Sequence, residues 1–310
     1  MDPFNRDQLS LSTSWLRESH PERILDQVQA AGFSRVELEY RLSAATLAGL
    51  RSGLRQRGMS VTSVHNFCPF PAEAEGRLEP SGDLFNLAAS DREHRQLAVR
   101  HTVRSLETAA ELEARAVVLH LGWAPGLGAK ELTREAARQG GMTPELKAVE
   151  EARRAASPAL LDALSFTLEP LLRRAGELGL GLGVENRFHV FQAPNLAETL
   201  ALLERFDGAP IGYWHDTGHA HNRELAGLNP ARAYLEALGS RLIGCHLHDA
   251  VGPDDHRPPG EGELDWDWLC PRLSPAPIKV VELKPGPDPD RVARAADLLA
   301  QVFARHQKQD

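Results

Sequence analysis

The sequence predicts an α/β protein whose strand–helix units close into a (β/α)8 barrel. Three observations point there. Short β-branched runs alternate with longer amphipathic stretches, about eight such runs occur in 310 residues, and six successive runs end in His, Asp or Glu. The alternation implies parallel pairing through right-handed crossovers. About 250 residues is the usual size of a closed eight-fold barrel, with extra length in its loops. An open doubly wound sheet is the rival, but it usually carries G-x-G-x-x-G after its first strand. Ser12-Thr13-Ser14-Trp15 has no glycine.

Leu9 to Trp15 is the first expected strand. His20-Pro21-Glu22 opens a helix with proline in its first turn, and Gly32 closes it. Arg35 to Tyr40 is the second strand; Ser43 caps the next helix, which stops at Gly58. After the third strand, Ser60 to Phe67, a long connection from Cys68 to Asp91 leads into Arg92 to Ala114. Leu97, His101, Val103, Leu106 and Ala110 form a core-facing stripe there. The fourth strand, Ala116 to Trp123, precedes a second long connection, Ala124 to Ala156, in which Thr143-Pro144-Glu145 reads as a helix start. Ser157-Pro158 is expected to begin a helix running to Gly179. The remaining strands are Leu180 to Phe188, Ile211 to Thr217, Leu242 to Asp249 and Ile278 to Lys284, with Asn195, Asn229 and Asp290 as N-caps of intervening helices. Both long connections follow strands, so they are expected over the C-terminal face as lids or substrate walls. No low-complexity linker divides the chain, and one domain over residues 1–310 is expected.

Composition narrows the function classes. Hydrophobic residues make up 42% and charged residues 25%, which fits a globular protein. A net charge of −8 gives no support for non-specific nucleic-acid or anionic-membrane binding, though a local basic groove remains compatible with it. No apolar run has the ~18–20 residues of a membrane span, and MDPFNRDQLS lacks the features of a signal peptide. Cys68, Cys245 and Cys270 are scattered without C-x-x-C spacing, so a reduced, cytoplasmic chain is expected. Histidine is the unusual component, with 13 residues, and imidazole is the commonest protein metal ligand.

The strand ends carry the chemistry. They read Val64-His65-Asn66, Leu119-His120-Leu121, Val184-Glu185-Asn186-Arg187, His215-Asp216-Thr217-Gly218-His219, Cys245-His246-Leu247-His248-Asp249 and Val281-Glu282-Leu283-Lys284. One strand-end His is commonly a hydrogen-bonded rim residue, and one Glu commonly a salt-bridge partner, with Arg187 and Lys284 at hand. Six successive strands are different. Burying that many ionisable groups without pairing or a cation is costly, and barrel catalysis sits at these ends. Mutual repulsion among Glu185, Asp216 and Glu282 then calls for a divalent metal.

On these segments, together with Pro259-Gly260-Glu261-Gly262 and Asp265-Trp266, the chain resembles the xylose isomerase-like TIM-barrel superfamily over nearly its whole length. That superfamily includes sugar and sugar-phosphate isomerases and epimerases and endonuclease IV. The resemblance to the epimerase branch implies one Mn²⁺, Mg²⁺ or Co²⁺ held by Glu185, Asp216, His246 and Glu282. Glu185 and Glu282 would then move protons next to the substrate carbonyl through an enediolate. The resemblance to endonuclease IV implies up to three Zn²⁺, adding His65, His120, His219, Asp254 and His256. One-metal and multi-metal sites both stay open.

Trp15, Phe67, Trp123 and Phe188 lie near strand ends, where they either stack on a sugar or pack the wall. Trp266 and Trp268 follow the cap Asp265 and are expected to anchor a helix. Arg187 and Arg257 are the nearest cations for a phosphate or carboxylate, and His219 also stands where substrate would be. The long connections lack a basic–aromatic interleave, which favours a small carbohydrate over abasic DNA as substrate. A metal-bearing binding protein, lyase or dehydratase would keep the same ligands. Homo-oligomerisation is compatible with all of these readings.

Overall fold

The computed structural model describes residues 4–127 and 130–307. Met1, Asp2 and Pro3, the start of the segment read for a signal peptide, lie outside the described residues. Eight parallel strands form a closed barrel: β1 (Ser10–Ser12), β2 (Arg35–Leu38), β3 (Ser60–His65), β4 (Ala116–Leu119), β5 (Gly181–Glu185), β6 (Ile211–Asp216), β7 (Leu242–Leu247) and β8 (Lys279–Val281). Leu11 pairs with both Val36 and Val281, which closes the ring. Runs such as Ala116-Val117-Val118-Leu119 are apolar throughout because a parallel strand is buried on both faces.

The helices are α1 (Pro21–Ala30), α2 (Ala44–Gln56), α3 (Arg92–Glu111), α4 (Lys130–Gln139), α5 (Pro144–Leu178), α6 (Leu196–Arg205), α7 (Thr217–Leu225), α8 (Ala231–Leu238), α9 (Trp266–Leu273) and α10 (Pro289–Gln307). Ser43, Thr143, Asn195 and Asp265 cap their helices as expected, each accepting a backbone N–H three residues on. Three expected boundaries move. Ser157-Pro158 lies inside α5, which runs from the Thr143 cap through Leu178, with Arg153 in its first third buried in a salt bridge with Glu198 at 2.6 Å. Pro230, not Asn229, holds the cap position of α8. Asp288, not Asp290, accepts the Arg291 N–H at the start of α10.

Two strand ends also differ. Thr13–Trp15 turns into a short 3-10 helix. Gly122–Trp123 leaves the barrel and pairs antiparallel with Gln192–Ala193.

Strand alternation builds the interior in layers. Trp214 fills the barrel axis with Ala116, Val118, Ile278 and Val280. Gly244 is required beside it, since a Cβ there would come within 2.1 Å of the indole. One step towards the C-terminal ends, the same inward-facing columns present His120, Glu185, Asp216, His246 and Glu282. The indole therefore floors the polar layer, meeting His246 edge-on at 5.2 Å.

Candidate metal centre

Five overlapping side-chain groups adjoin at this end of the barrel: Glu185, Asp216 and His246; His65, His120 and Glu185; His219, Asp255 and His256; Glu37, His246 and Glu282; and Asp216, His248, His256 and Glu282. Within each group the ligand atoms lie within 4.8 Å of one another. Glu282 joins them, its Oε2 3.0 Å from His246 Nδ1 and 3.5 Å from His256 Nε2. Glu185 is the hub. Its oxygens lie 2.9 Å from His120 Nε2, 3.2 Å from His219 Nδ1, 3.5 Å from His65 Nε2 and 3.6 Å from His246 Nδ1.

These contacts are short without being aligned as hydrogen bonds throughout: Glu185 Oε2 and His246 Nδ1 are buried with no hydrogen-bond partner. Buried unpaired polar atoms are costly, and an unpartnered carboxylate oxygen and imidazole nitrogen converging here fit a shared cation. Carboxylates with imidazoles suit Mn²⁺, Mg²⁺, Co²⁺ or Zn²⁺.

Surrounding hydrogen bonds aim these ligands. His246 Nε2 lies 3.1 Å from Glu37 Oε1, which turns Nδ1 into the site, and Ser63 donates to the other Glu37 oxygen at 2.7 Å. His65 Nδ1 meets the Asn66 carbonyl at 2.9 Å, leaving Nε2 inward. Asp216 accepts the His219 N–H at 2.7 Å as the cap of α7, which explains the spacing Asp216-Thr217-Gly218-His219. Asn186 accepts the Asp216 N–H at 2.7 Å and donates to its carbonyl at 3.0 Å, clamping β5 to β6. His248 Nδ1 accepts the His256 N–H at 2.9 Å, so its Nε2 carries hydrogen and donates to Asp216 at 3.0 Å. It positions Asp216 rather than offering a lone pair. Asp249 accepts from Gly260 N, Leu264 N and Trp266 Nε1 at 2.8–3.1 Å, which makes the glycine-rich segment a brace for the β7 end.

Electrostatics agree with the geometry. Burial pushes Glu185 up, but His120, His219 and His246 more than reverse this and hold it well below the usual carboxylate range. Asp216 is likewise opposed by burial yet lowered to about 2 by His219 and His248. Glu282 is lowered against burial by His246 and His256. His246 and His256 are raised despite burial, by Glu282 with Glu37 and by Asp255 with Glu282 respectively.

Above the cluster is a cavity of about 460 Å³. The two long connections close on it. Gly82, from the first, lies where a Cβ would come within 2.6 Å of His120 Nδ1, and α4, from the second, supplies Lys130 and Arg134.

Several expected site residues lie elsewhere. Asp254 stays on the cavity wall but is bound to Lys284 and Arg257, and Asp255 takes its place beside His256. Arg257, engaged with Asp254 and the Glu261 carbonyl, does not line the cavity. Trp15 is packed into the core by its 3-10 turn, and Trp123 faces a separate groove with Leu84 and Phe85 because its segment pairs outside the barrel. Phe67 is fully buried, whereas Phe188, Arg187 and His219 do line the cavity. Glu37, Asp83, Asp255, His189 and Gln192 were not singled out from sequence. Glu37 had a signal, a carboxylate inside the apolar strand Val36-Glu37-Leu38; Asp83 sits in a loop and had none.

The description xylose isomerase-like TIM barrel matches residues 25–302. The chain belongs to the xylose isomerase-like TIM-barrel family. An uncharacterised relative in this comparison, MJ1311 of Methanocaldococcus jannaschii, is 28% identical over 199 residues, 63% of this chain and 58% of that protein. The chain thus spans less than two thirds of that relative's length. A D-tagatose 3-epimerase-like protein shares the fold with TM-score 0.69 and 19% identity, over 97% of this chain and 98% of that one. The TTHB071 protein of Thermus thermophilus, from a crystal soaked with ZnCl2, superposes with TM-score 0.59 and 24% identity over 95% and 98%. Among the family's described residues here, no helix is long and apolar enough to cross a membrane.

His189 gives a pH signature. It is stacked between Phe188 and Phe191, at 4.4 and 5.5 Å, and burial, with Arg134 and Arg187 nearby, lowers its pKa to about 3. An unfolded His titrates near 6.5. The stability from burying the neutral ring is therefore full above pH 6.5 and is lost as pH falls towards 3, on the order of 3 kcal/mol at pH 4. His189→Phe should lose less thermal stability than wild type between pH 7 and 4; parallel profiles would refute this.

Proposed function

We propose that residues 1–310 form one domain that acts in the cytoplasm as a divalent-metal-dependent isomerase or epimerase of a sugar or sugar phosphate. The observation that carries this reading is that Glu185 and Glu282, from β5 and the end of β8, line one cavity and flank His246 Nδ1 at 3.6 and 3.0 Å. Glu185, Asp216, His246 and Glu282 would hold the ion, which would polarise the substrate's carbonyl and hydroxyl oxygens. The two glutamates, held ionised, remove and return a proton at the neighbouring carbon through an enediolate. His219 and Phe188 contact the substrate, while the loop bearing Gly82 excludes water. The shared fold of the D-tagatose 3-epimerase-like protein supports the same reading.

The test is solvent deuterium incorporation into a panel of aldoses, ketoses and their phosphates in the presence of Mn²⁺. Wild type should label one carbon, and Glu282→Gln should abolish the label. Full labelling by the variant removes Glu282 from proton transfer.

A second reading rests on the two further ligand groups, His65–His120–Glu185 and His219–Asp255–His256. They would allow three Zn²⁺ and a metal-activated water attacking a phosphodiester at an abasic site. Metal-dependent nicking of an abasic duplex would reverse the order of the two.

A further inference from the structure

Two cations on the cavity wall have no acidic partner among the described residues. Lys130 and Arg134 lie one turn apart on α4, both line the cavity, and neither forms an ion pair with a described residue. The other cations there are already engaged. Arg187 Nη2 donates to Asp83 at 2.9 Å, and Lys284 is bound to Asp254. Like charges four residues apart on a helix repel each other, and no acidic side chain among the described residues neutralises the pair.

The α4 helix is a fixed wall. Thr133 Oγ1 accepts the Val190 N–H at 3.1 Å, and Ala136 and Ala137 pack with Leu146, Val190 and Ala226. The Arg134 guanidinium sits 5.5 Å over the Phe188 ring. Next to it His189 lines the cavity at 7% exposure, with its Nδ1 lacking any hydrogen-bond partner. Its backbone N–H is satisfied by Gln192 at 2.8 Å, so the unfilled need is the ring's alone. A neutral imidazole can offer one N–H to an oxygen. Lys130, Arg134 and Arg187 all disfavour a charge on that ring, which marks this corner as electropositive.

The cavity is thus split by sign, with carboxylates and imidazoles at its floor and unpaired cations on one wall. We infer that Lys130, Arg134 and His189 form a subsite for an oxyanion, phosphoryl or carboxylate, carried by the substrate at the end away from the metal ligands. The inference deepens the proposed function and rests on it for what the other end of the substrate is.

The experiment is calorimetric titration of the protein as purified with inorganic phosphate, and separately with acetate, at constant ionic strength. It is repeated on Lys130→Ala/Arg134→Ala. Both side chains are exposed, so the variant should keep the wild-type thermal midpoint and metal content. One anion should bind wild type and weaken at least tenfold in the variant; phosphate doing so identifies a phosphoryl group, acetate a carboxylate. Equal affinity in the two proteins places the anion on the metal instead and overturns the subsite, as does failure of both anions to bind wild type. If the double variant does not fold, Arg134→Gln serves the same comparison. The readout is binding, so absence of solvent exchange with every sugar would count against the isomerase and leave the subsite standing.

Discussion

Glu185→Gln is expected to strip the protein of most of its divalent metal and to lower turnover by about two to four orders of magnitude. The amide has the same shape but none of the charge. Glu185 faces His65, His120, His219 and His246 within 3.6 Å, and Arg187 Nη1 at 3.6 Å. Removing its charge leaves only Asp216 and Glu282 as anionic ligands beside four imidazoles and a guanidinium, so the cation is held far less strongly. The amide's own N–H₂ must also point at a ring nitrogen or at Arg187. Elemental analysis after dialysis against trace metal reads the first effect, and solvent exchange reads the second. A variant that keeps wild-type metal content and rate would mean that the hub carboxylate neither binds the ion nor moves the proton.

Arg153→Met should destabilise the fold by about 3–5 kcal/mol, because it strands a buried carboxylate. Arg153 and Glu198 are 2% and 1% exposed and meet through two hydrogen bonds of 2.7 and 2.6 Å. Glu198 also accepts the Asn195 N–H at 2.9 Å in the capping box of α6 and the Ser157 hydroxyl at 2.5 Å. The pair therefore ties the first third of α5 to the start of α6. Replacing both partners, Arg153→Met with Glu198→Met, should recover much of the loss, since a buried pair gains little over apolar packing. Thermal midpoints of the two single variants and the double variant check this. A single variant as stable as wild type would show that the pair is not under strain when broken.

The four strand-end ligands were legible for a shared reason. Glu185, Asp216, His246 and Glu282 stand at the same height on consecutive strands, and alternation fixes height and direction once the strand is recognised. The clamp residues were legible as motif members but not in their roles. His248 was grouped with its neighbours on β7, yet the His256 N–H on its Nδ1 makes it a donor to Asp216. Asp254 and Asp255 show the opposite limit. The resemblance implied Asp254, but in the hairpin pairing Asp249–Val251 with Asp254–Arg257 it is Asp255 that meets His256, while Asp254 meets Lys284.

Apolar periodicity, caps and recurrent charged strand ends were enough to determine a closed parallel barrel with its ionisable residues at one mouth, because those signals are local and repeat. Long-range packing decided the rest. Only the folded chain brings Glu37 of β2 to His246 of β7, lays Gly82 on His120, buries Arg153 against Glu198 and turns Lys130 and Arg134 into the cavity. Each of these contacts joins segments whose separation carries no period, so their meeting is set by how the helices and loops pack rather than by any pattern along the chain.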